Sequence, residues 1–174
     1  RRAHLPRGHP DTLWSTTSLG VLYQHTGRYD EAERVYREDL AIRTRTLGPD
    51  HPHTLTTRSN LGSALFFLGR AEEAIPHLRV AAEGLRDCDE VERFLLALNN
   101  LGTGLDRAGR HDEAAPILHE IRARALRAFG PEDYRTLIAT QNLALLLRSL
   151  GRTEEAIPLF RTALEGARTV HGNN

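Results

Sequence analysis

The sequence contains one cysteine, no methionine and no lysine among its 174 residues. A single thiol, Cys88, excludes an internal disulfide and a cysteine-based zinc site, and this favours a reducing, cytoplasmic location. No apolar run reaches the roughly 18–20 residues that a membrane-spanning helix needs. The first residues, RRAHLPRG, also lack the apolar stretch of a signal peptide. We therefore expect no membrane contact, and the missing initiator methionine favours a segment of a longer protein.

Acidic and basic side chains balance, with 23 of each and a formal net charge of zero. This balance argues against a nucleic-acid partner, because nucleic-acid surfaces usually show a basic excess. The absence of lysine excludes the phosphate loop GxxxxGK[ST], and neither GxSxG nor HExxH occurs. The nine histidines, including His51, His53, His111 and His119, lack a cysteine or carboxylate partner at metal-ligand spacing. We predict a chain that is not an enzyme and binds no metal or cofactor.

Two stretches of nineteen residues are nearly the same: LGRAEEAIPHLRVAAEGLR at 68–86 and LGRTEEAIPLFRTALEGAR at 150–168. A Gly-Arg pair marks each of four repeats, at Gly27, Gly69, Gly109 and Gly151, so the spacings are 42, 40 and 42 residues. An alanine follows each marker glycine by five residues, and a glycine or alanine precedes it by seven. A fixed period of this length indicates a protein built from structural repeats.

Apolar residues recur at helical spacing on both sides of each marker, which predicts two helices per repeat. The marker glycine should end the first helix in a left-handed conformation. Two acidic residues should open the second helix, where negative charge suits the helix dipole. We expect the small residues Gly20, Gly62, Gly102 and Ala144 to let the helices cross closely against Ala32, Ala74, Ala114 and Ala156. The junction at residues 84–94 is two residues shorter than the others, which predicts a tighter or kinked connection.

The combination of Leu-Gly-x-x-Leu/Tyr, Gly-Arg and Asp/Glu-Glu-Ala resembles the tetratricopeptide repeat (TPR). The long period and the loop LGPDHPHTL (47–55) resemble the kinesin light chain variety, and similar arrays form the sensor ends of bacterial signalling proteins. The resemblance implies an all-α fold, a right-handed α-solenoid of four helix–turn–helix units with about eight helices. The units would be residues 9–50, 51–90, 91–132 and 133–174 of a single array, with the tail of a preceding unit at residues 1–8. The first unit departs from the pattern at Asp39, where the second and fourth have Ala81 and Ala163.

A polar column stands nine residues before each marker glycine: Ser18, Asn60, Asn100 and Asn142. Asparagine is unfavourable inside a helix, so the column indicates a role beyond helix formation. The resemblance implies that the first helices line a concave groove, where such amides hydrogen-bond the backbone of an extended peptide. An amide suits this role because it has both donors and an acceptor. The alternative is that these amides bridge neighbouring helices.

Neighbouring positions complete the predicted peptide-binding site: Asn99, Gln141, Ser63, Thr103, Phe66, Arg107 and Arg148. Arg107 and Arg148 are the candidates for contacting an acidic side chain of the ligand. At least one of Phe66 and Phe67 should face the core, because neighbours on a helix point about 100° apart. Trp14 is either an anchor for a ligand or a contact for a preceding unit.

These observations predict a protein-interaction module that binds a protein or peptide segment in the groove. One alternative is the sensor region of a larger signalling regulator. Another is an oligomerisation or spacer element that self-associates through its end faces, since neither end shows the polar cap that repeat arrays normally carry.

Overall fold

The repeats form paired helices. The computed structural model describes the backbone of residues 10–171 and the side chains of residues 14–169. These residues contain no strand, and their eight helices are α1 (Pro10–His25), α2 (Tyr29–Thr46), α3 (Pro52–Phe67), α4 (Ala71–Gly84), α5 (Val91–Arg107), α6 (His111–Phe129), α7 (Tyr134–Ser149) and α8 (Thr153–His171). The prediction of an all-α fold of about eight helices is confirmed. The expected tail of a preceding unit, residues 1–8, lies outside the described residues.

Each hairpin turns at its marker glycine. The four marker glycines have φ between 73° and 77°, a left-handed conformation that glycine adopts without steric cost. The N–H of Arg28 reaches the carbonyl of Tyr23 at 2.8 Å, and the same bond recurs after the other three glycines. This bond satisfies a carbonyl that the helix end leaves without a partner. The predicted role of the marker glycine is therefore confirmed.

The arginine of each marker pairs with an acidic residue at the start of the second helix. Arg28 donates to Glu31 at 2.7 Å, and the same pair recurs as Arg70–Glu73, Arg110–Glu113 and Arg152–Glu155. The hydrogen bond from Arg28 lowers the pKa of Glu31 below its usual range. The acidic residues lie in the first helical turn, as predicted. This ion pair explains why arginine follows each marker glycine, which the sequence pattern alone does not explain.

The small residues before each turn make room for a large side chain of the second helix. A Cβ atom at Gly62 would lie 2.7 Å from Cγ of Leu78 and 3.2 Å from the carbonyl oxygen of Ala74. At Gly20 the same atom would lie 2.5 Å from the ring of Tyr36. The predicted close crossing of the two helices of a hairpin is confirmed. The expected contact between the glycine and the alanine is less close than its contact with the large residue. The glycine chiefly accommodates the large residue four positions after that alanine.

The shorter repeat shortens a helix and not a connection. α4 has 14 residues, whereas α2 has 18 and α6 has 19. Residues 85–90 connect α4 to α5, while the links before α3 and α7 are residues 47–51 and 130–133. The connection after α4 is thus the longest of the three. The prediction of a tighter link is wrong, because α4 is four residues shorter than α2 and the connection that follows it is longer.

Contacts divide the chain into two compact units, Arg1–Asn100 and Leu101–Asn174, with the boundary inside α5. In the first unit, α2 packs against α1 and α3, and α3 packs against α4. In the second unit, α7 packs against α6 and α8. Each unit buries its own apolar side chains, among them Leu55, Leu61, Leu65 and Leu78 in the first and Leu118, Leu143, Leu146 and Leu147 in the second.

A buried polar network joins the first three helices of the first unit. Asp39 and Arg43 of α2 are both buried and form an ion pair of 2.8 Å. Oδ2 of Asp39 also accepts hydrogen bonds from Thr17 of α1 at 3.0 Å and from Thr57 of α3 at 2.9 Å. Arg43 donates to Thr17 at 2.8 Å. The departure at Asp39 thus replaces an apolar helix junction with a polar one and leaves the hairpins intact.

Candidate functional site

In the first unit, the first helices of three successive hairpins are neighbours. α1 contacts α3, and Nδ2 of Asn100 in α5 donates to Oγ of Ser59 in α3 at 3.1 Å. Residues at the same repeat position on α1, α3 and the first part of α5 therefore lie side by side. This arrangement brings together the predicted residues of the polar column that belong to this unit.

The two amides of the first unit differ in their hydrogen bonds. Asn100 is held by Ser59, which is the bridging role considered as the alternative for this column. Asn60 is half-buried and has no hydrogen-bond partner among the described residues. An amide without a partner inside the protein keeps its donors and its acceptor available to an external group. Asn60 is therefore the amide of this unit that an external backbone group could satisfy.

Exposed apolar side chains lie one helical turn before the polar column. Trp14 is 74% exposed and Leu96 is 54% exposed, four residues before Ser18 and Asn100. Tryptophan is among the residues that most often anchor a partner at an interface. Leu96 was not among the predicted site residues, although apolar residues hold its column in three of the four repeats. We call the following set the amide face: Trp14, Ser18, Asn60, Ser63, Leu96 and Asn100.

The remaining predicted residues of the first unit have mixed surroundings. Ser63 and Asn99 are half-buried, and the hydroxyl of exposed Ser18 donates to the carbonyl of Trp14 within its own helix. Phe66 is also half-buried, and its ring lies edge-on to Phe67.

Neither phenylalanine is buried in the core. Phe67 is exposed and stacks on Tyr29 with ring centroids 4.8 Å apart. The expectation that one of Phe66 and Phe67 faces the core is wrong. The two rings cluster with Tyr29 because α3 ends beside the start of α2.

In the second unit, α7 exposes a continuous row of side chains. This row, the α7 stripe, follows a spacing of three and four residues and consists of Tyr134, Ile138, Gln141, Leu145 and Arg148. Such spacing places side chains on one helix face. Gln141 and Arg148 are predicted site residues, and the other three are large and apolar. Arg148 forms no ion pair within the described part of the chain.

The other predicted residues of the second unit are less exposed or already engaged. Asn142 and Thr103 are half-buried, and Arg107 is exposed. Asn142 and Arg107 each have an interaction within the protein. Asn142 therefore differs from Asn60, which has no partner among the described residues.

Two polar residues near the turns have structural partners. Oε1 of Gln24 accepts a hydrogen bond from the hydroxyl of Tyr36 at 2.7 Å, and burial raises the pKa of Tyr36. In the second unit, Oδ1 of Asp106 lies 2.9 Å from Nδ1 of His111. Both pairs tie a first helix to the second helix of the same hairpin. Gln24 and Asp106 therefore support the turns.

His51 and His53, at the start of α3, also serve local structure. Nδ1 of His51 accepts a hydrogen bond from the backbone of His53 at 3.2 Å and caps α3. Burial, together with the charge of Arg93, lowers the pKa of His53. Among the described residues, no three histidine, cysteine, aspartate or glutamate side chains come together as metal ligands. Within the same residues, no helix combines the length and apolar character needed to cross a bilayer.

The repeated hairpins fit a family model described as tetratricopeptide repeat, which matches residues 8–87 and 93–169. The chain belongs to the tetratricopeptide repeat family. This TPR chain is similar to the protein kinesin light chain-related 2 of Arabidopsis thaliana, with 24% identity over 145 residues. The match covers 82% of the TPR chain and 22% of the relative, so the chain spans about a fifth of that relative's length. The predicted likeness to kinesin light chains is confirmed.

Two solved structures share the fold of the TPR chain. BtubC (BKLC) from P. vanneervenii has a TM-score of 0.82 at 22% identity, with 94% of the TPR chain and 66% of that protein covered. Rap protein, complexed with competence and sporulation factor, has a TM-score of 0.80 at 16% identity, with coverages of 90% and 43%. At these identities the likeness concerns the fold alone, which is the class of TPR-like solenoid proteins.

Proposed function

We propose that the TPR chain is an interaction module that binds an extended peptide segment of another protein along the amide face. Repeats of this family generally mediate protein–protein interaction. The observation that carries the proposal is the half-buried amide of Asn60, which lacks a hydrogen-bond partner among the described residues. A peptide backbone offers both a donor and an acceptor to such an amide.

Apolar contacts would supply most of the affinity. Trp14 and Leu96 flank the polar column and are exposed, so a ligand side chain that packs on them removes apolar surface from water. The amide face carries no charged side chain. We therefore infer that the bound segment is held by backbone hydrogen bonds and by its own apolar side chains, with ion pairs playing no part at this face.

The α7 stripe supports a second contact region of the same kind in the second unit. Its apolar members would contact side chains of the partner, and Gln141 could bind its backbone. Arg148, exposed and without an ion-pair partner in the described part of the chain, would select a partner that carries a carboxylate nearby. Thr103, Arg107 and Asn142 stay predictions as peptide contacts, as does a cytoplasmic location.

We infer that the role is binding and not catalysis. Two acidic residues recur at the start of the second helix in all four repeats, which could suggest paired acid–base groups, but the second acid of each pair is held by the arginine three residues earlier. For Glu155, the hydrogen bond from Arg152 lowers the pKa, which opposes service as a proton donor near neutral pH. Rap protein has a similar fold, and its solved structure is a complex with competence and sporulation factor. A binding role for the TPR chain is consistent with that example.

The test begins with peptides selected on the TPR chain from a random library displayed on phage. The Kd of a selected peptide is then measured by fluorescence anisotropy for the wild type and for variants. We expect Asn60→Ala to raise the Kd about fivefold, because a hydrogen bond of this kind contributes about 1 kcal/mol. Leu96→Ser should raise the Kd at least as much, through lost apolar contact.

Val80→Ser is the matched control, because Val80 is an exposed apolar residue of α4 outside the amide face. We expect it to leave the Kd unchanged. Amide chemical-shift changes on adding peptide should cluster on α1, α3 and the first part of α5. An affinity that neither Asn60→Ala nor Leu96→Ser alters would refute the proposed role of this face.

A further inference from the structure

Two residues of the second hairpin, Arg58 and His77, depart from the repeat pattern. His77 lies eight residues after its marker glycine, where the other three repeats have the apolar residues Val35, Ile117 and Leu159. Arg58 lies eleven residues before the same glycine, where the others have threonine or leucine. The fold of the hairpin therefore requires neither a guanidinium group nor an imidazole at these positions.

Both residues lie where α3 and α4 meet α2. Glu73, one turn before His77 on α4, accepts a hydrogen bond from Arg37 of α2, so this side of α4 is turned toward α2. In α7 the position of Arg58 is held by Thr140, whose hydroxyl accepts a hydrogen bond from α6, the second helix of the preceding hairpin. Since α3 packs in the same way against α2, Arg58 also faces α2. The two departures from the repeat thus share one junction inside the first unit.

The nitrogen atoms of these two side chains have no hydrogen bonds within the protein. Both side chains are half-buried, and Nε of Arg58 and Nδ1 of His77 are fully buried without a partner among the described residues. Their other nitrogens, Nη1 and Nη2 of Arg58 and Nε2 of His77, are not buried in this way and reach solvent. A guanidinium group stays charged and ordinarily binds an oxygen acceptor.

The acidic side chains beside this junction are bound by other arginines. Glu33 of α2 contacts Arg37 at 2.9 Å and Arg70 at 2.8 Å. Glu73 of α4 accepts hydrogen bonds from the same two arginines. Neither carboxylate forms an ion pair with Arg58 in the described part of the chain. The junction therefore contains a half-buried cation for which these residues provide no counter-ion.

We propose that Arg58 and His77 form a binding site for a doubly charged oxyanion of the phosphate type. Arg58 supplies a fixed positive charge and a planar pair of N–H donors, which suits the oxygens of such an anion. His77 supplies a further donor at Nε2 and a second positive charge when it is protonated. The site shares no residue with the amide face, so it does not depend on the proposed binding of a peptide.

Proton binding and anion binding should assist each other at this site. Burial, followed by the positive charges of Arg58 on α3 and Arg37 on α2, lowers the pKa of His77, and the smaller effect of Glu73 on α4 opposes this. A bound dianion places negative charge beside the imidazole and so favours its protonated form. The anion should therefore bind more tightly at about pH 5.5 than at about pH 8.

The experiment follows the imidazole signals of the 174-residue chain by NMR during a pH titration. Sodium sulfate at millimolar concentration is the probe, because sulfate keeps both of its charges while histidine titrates, and sodium chloride of equal ionic strength is the reference. We expect sulfate to raise the pKa of His77 by about one pH unit, which corresponds to about tenfold tighter binding to the protonated form. The signal of His119, an exposed residue of the second unit, should titrate alike in both salts.

The matched variants are Arg58→Leu and His77→Ile, because Leu98 and Ile117 hold these positions in the third repeat. Far-UV circular dichroism checks that both are folded. Arg58→Leu should abolish the effect of sulfate on His77, and so should Arg58→Gln, which keeps a polar group without the charge. His77→Ile should remove the pH dependence of sulfate binding measured by calorimetry. A pKa of His77 that is the same in both salts, or that sulfate raises equally in Arg58→Leu, would overturn the proposal.

Discussion

At the residue scale, a residue that departs from the repeat pattern can be explained by the side chains it contacts. Asp39 stands where other repeats have alanine or isoleucine, and its carboxylate binds three donors from three helices. One of its oxygens, Oδ1, is buried without a hydrogen bond. A buried ion pair of this kind often contributes little net stability, because desolvating both charges offsets their attraction. Removing one partner is different, because it leaves the other charge buried.

We expect Asp39→Ala to lower the free energy of unfolding by about 3–5 kcal/mol, because Arg43 would remain buried and uncompensated. The double variant Asp39→Ala/Arg43→Leu should recover most of that loss. It installs the residues of the second repeat, where Ala81 and Leu85 hold these positions and are buried. Urea unfolding followed by circular dichroism measures both changes.

The comparison with Arg43→Leu alone completes the cycle. That variant should also be destabilised, since Asp39 would then lack its cationic partner. A double variant as unstable as Asp39→Ala would contradict this account and would show that the hydrogen bonds to Thr17 and Thr57 carry the stability.

The sequence predicts the roles of residues at repeated positions better than it predicts which distant residues form hydrogen bonds with each other. The marker glycines and first-turn acids act within a few residues of chain, so their roles follow from local geometry. The bond between Asn100 and Ser59 joins residues 41 positions apart, and it depends on how two helices align. A column of amides therefore indicates polar inward positions but does not show which amide is free. This is why Asn60 and Asn100 differ although the pattern treats them alike.

At the scale of helices and hairpins, the close crossing of two helices depends on which atoms of the second helix lie opposite the glycine of the first. The space above Gly62 is limited by Cγ of Leu78, a buried branch point, and by the backbone of Ala74. The space above Gly102 is limited by Cγ2 of Ile117 and Cδ2 of Leu118, both at 3.1 Å. Methyl groups at the end of a side chain can shift more readily than a branch atom or a carbonyl.

We therefore expect Gly62→Ala and Gly102→Ala to have different effects on stability. Gly62→Ala should lower the free energy of unfolding by about 1–3 kcal/mol through overpacking, despite the better helix propensity of alanine, worth about 1 kcal/mol. Gly102→Ala should lie within about 0.5 kcal/mol of the wild type. Urea unfolding of the matched pair measures the difference, and equal losses at both glycines would contradict the role of Leu78.

The ends of the helices are predicted less well by the repeat spacing than their number and order. The repeat spacing of 40 residues counts from one marker glycine to the next, so it cannot tell which segment between them is short. The chain shortens α4 and keeps a six-residue connection, residues 85–90. α4 is four residues shorter than α2, about one helical turn, and the loss falls at its end, beyond its buried residues. The apolar positions of α4 that face the core, such as Ala74 and Leu78, accordingly keep their register.

At the scale of the whole molecule, a repeat architecture makes stability local. In such proteins each repeat contacts mainly its neighbours, so stability is close to a sum of repeat and nearest-neighbour contributions. The division of the chain into two compact units, each with its own buried residues, agrees with this principle. A defect in one hairpin should then open that hairpin more than a distant one.

Two substitutions at the same repeat position test this locality. Leu61 in α3 and Leu143 in α7 are each 1% exposed, and replacing either with alanine should cost about 2–5 kcal/mol. Hydrogen exchange read by mass spectrometry should show Leu61→Ala speeding exchange chiefly in α3 and α4, and Leu143→Ala chiefly in α7 and α8. Each variant serves as the control for the other. If both accelerated exchange equally throughout the chain, the protein would unfold as one cooperative body, because the coupling between neighbouring hairpins would then exceed the cost of opening either of them.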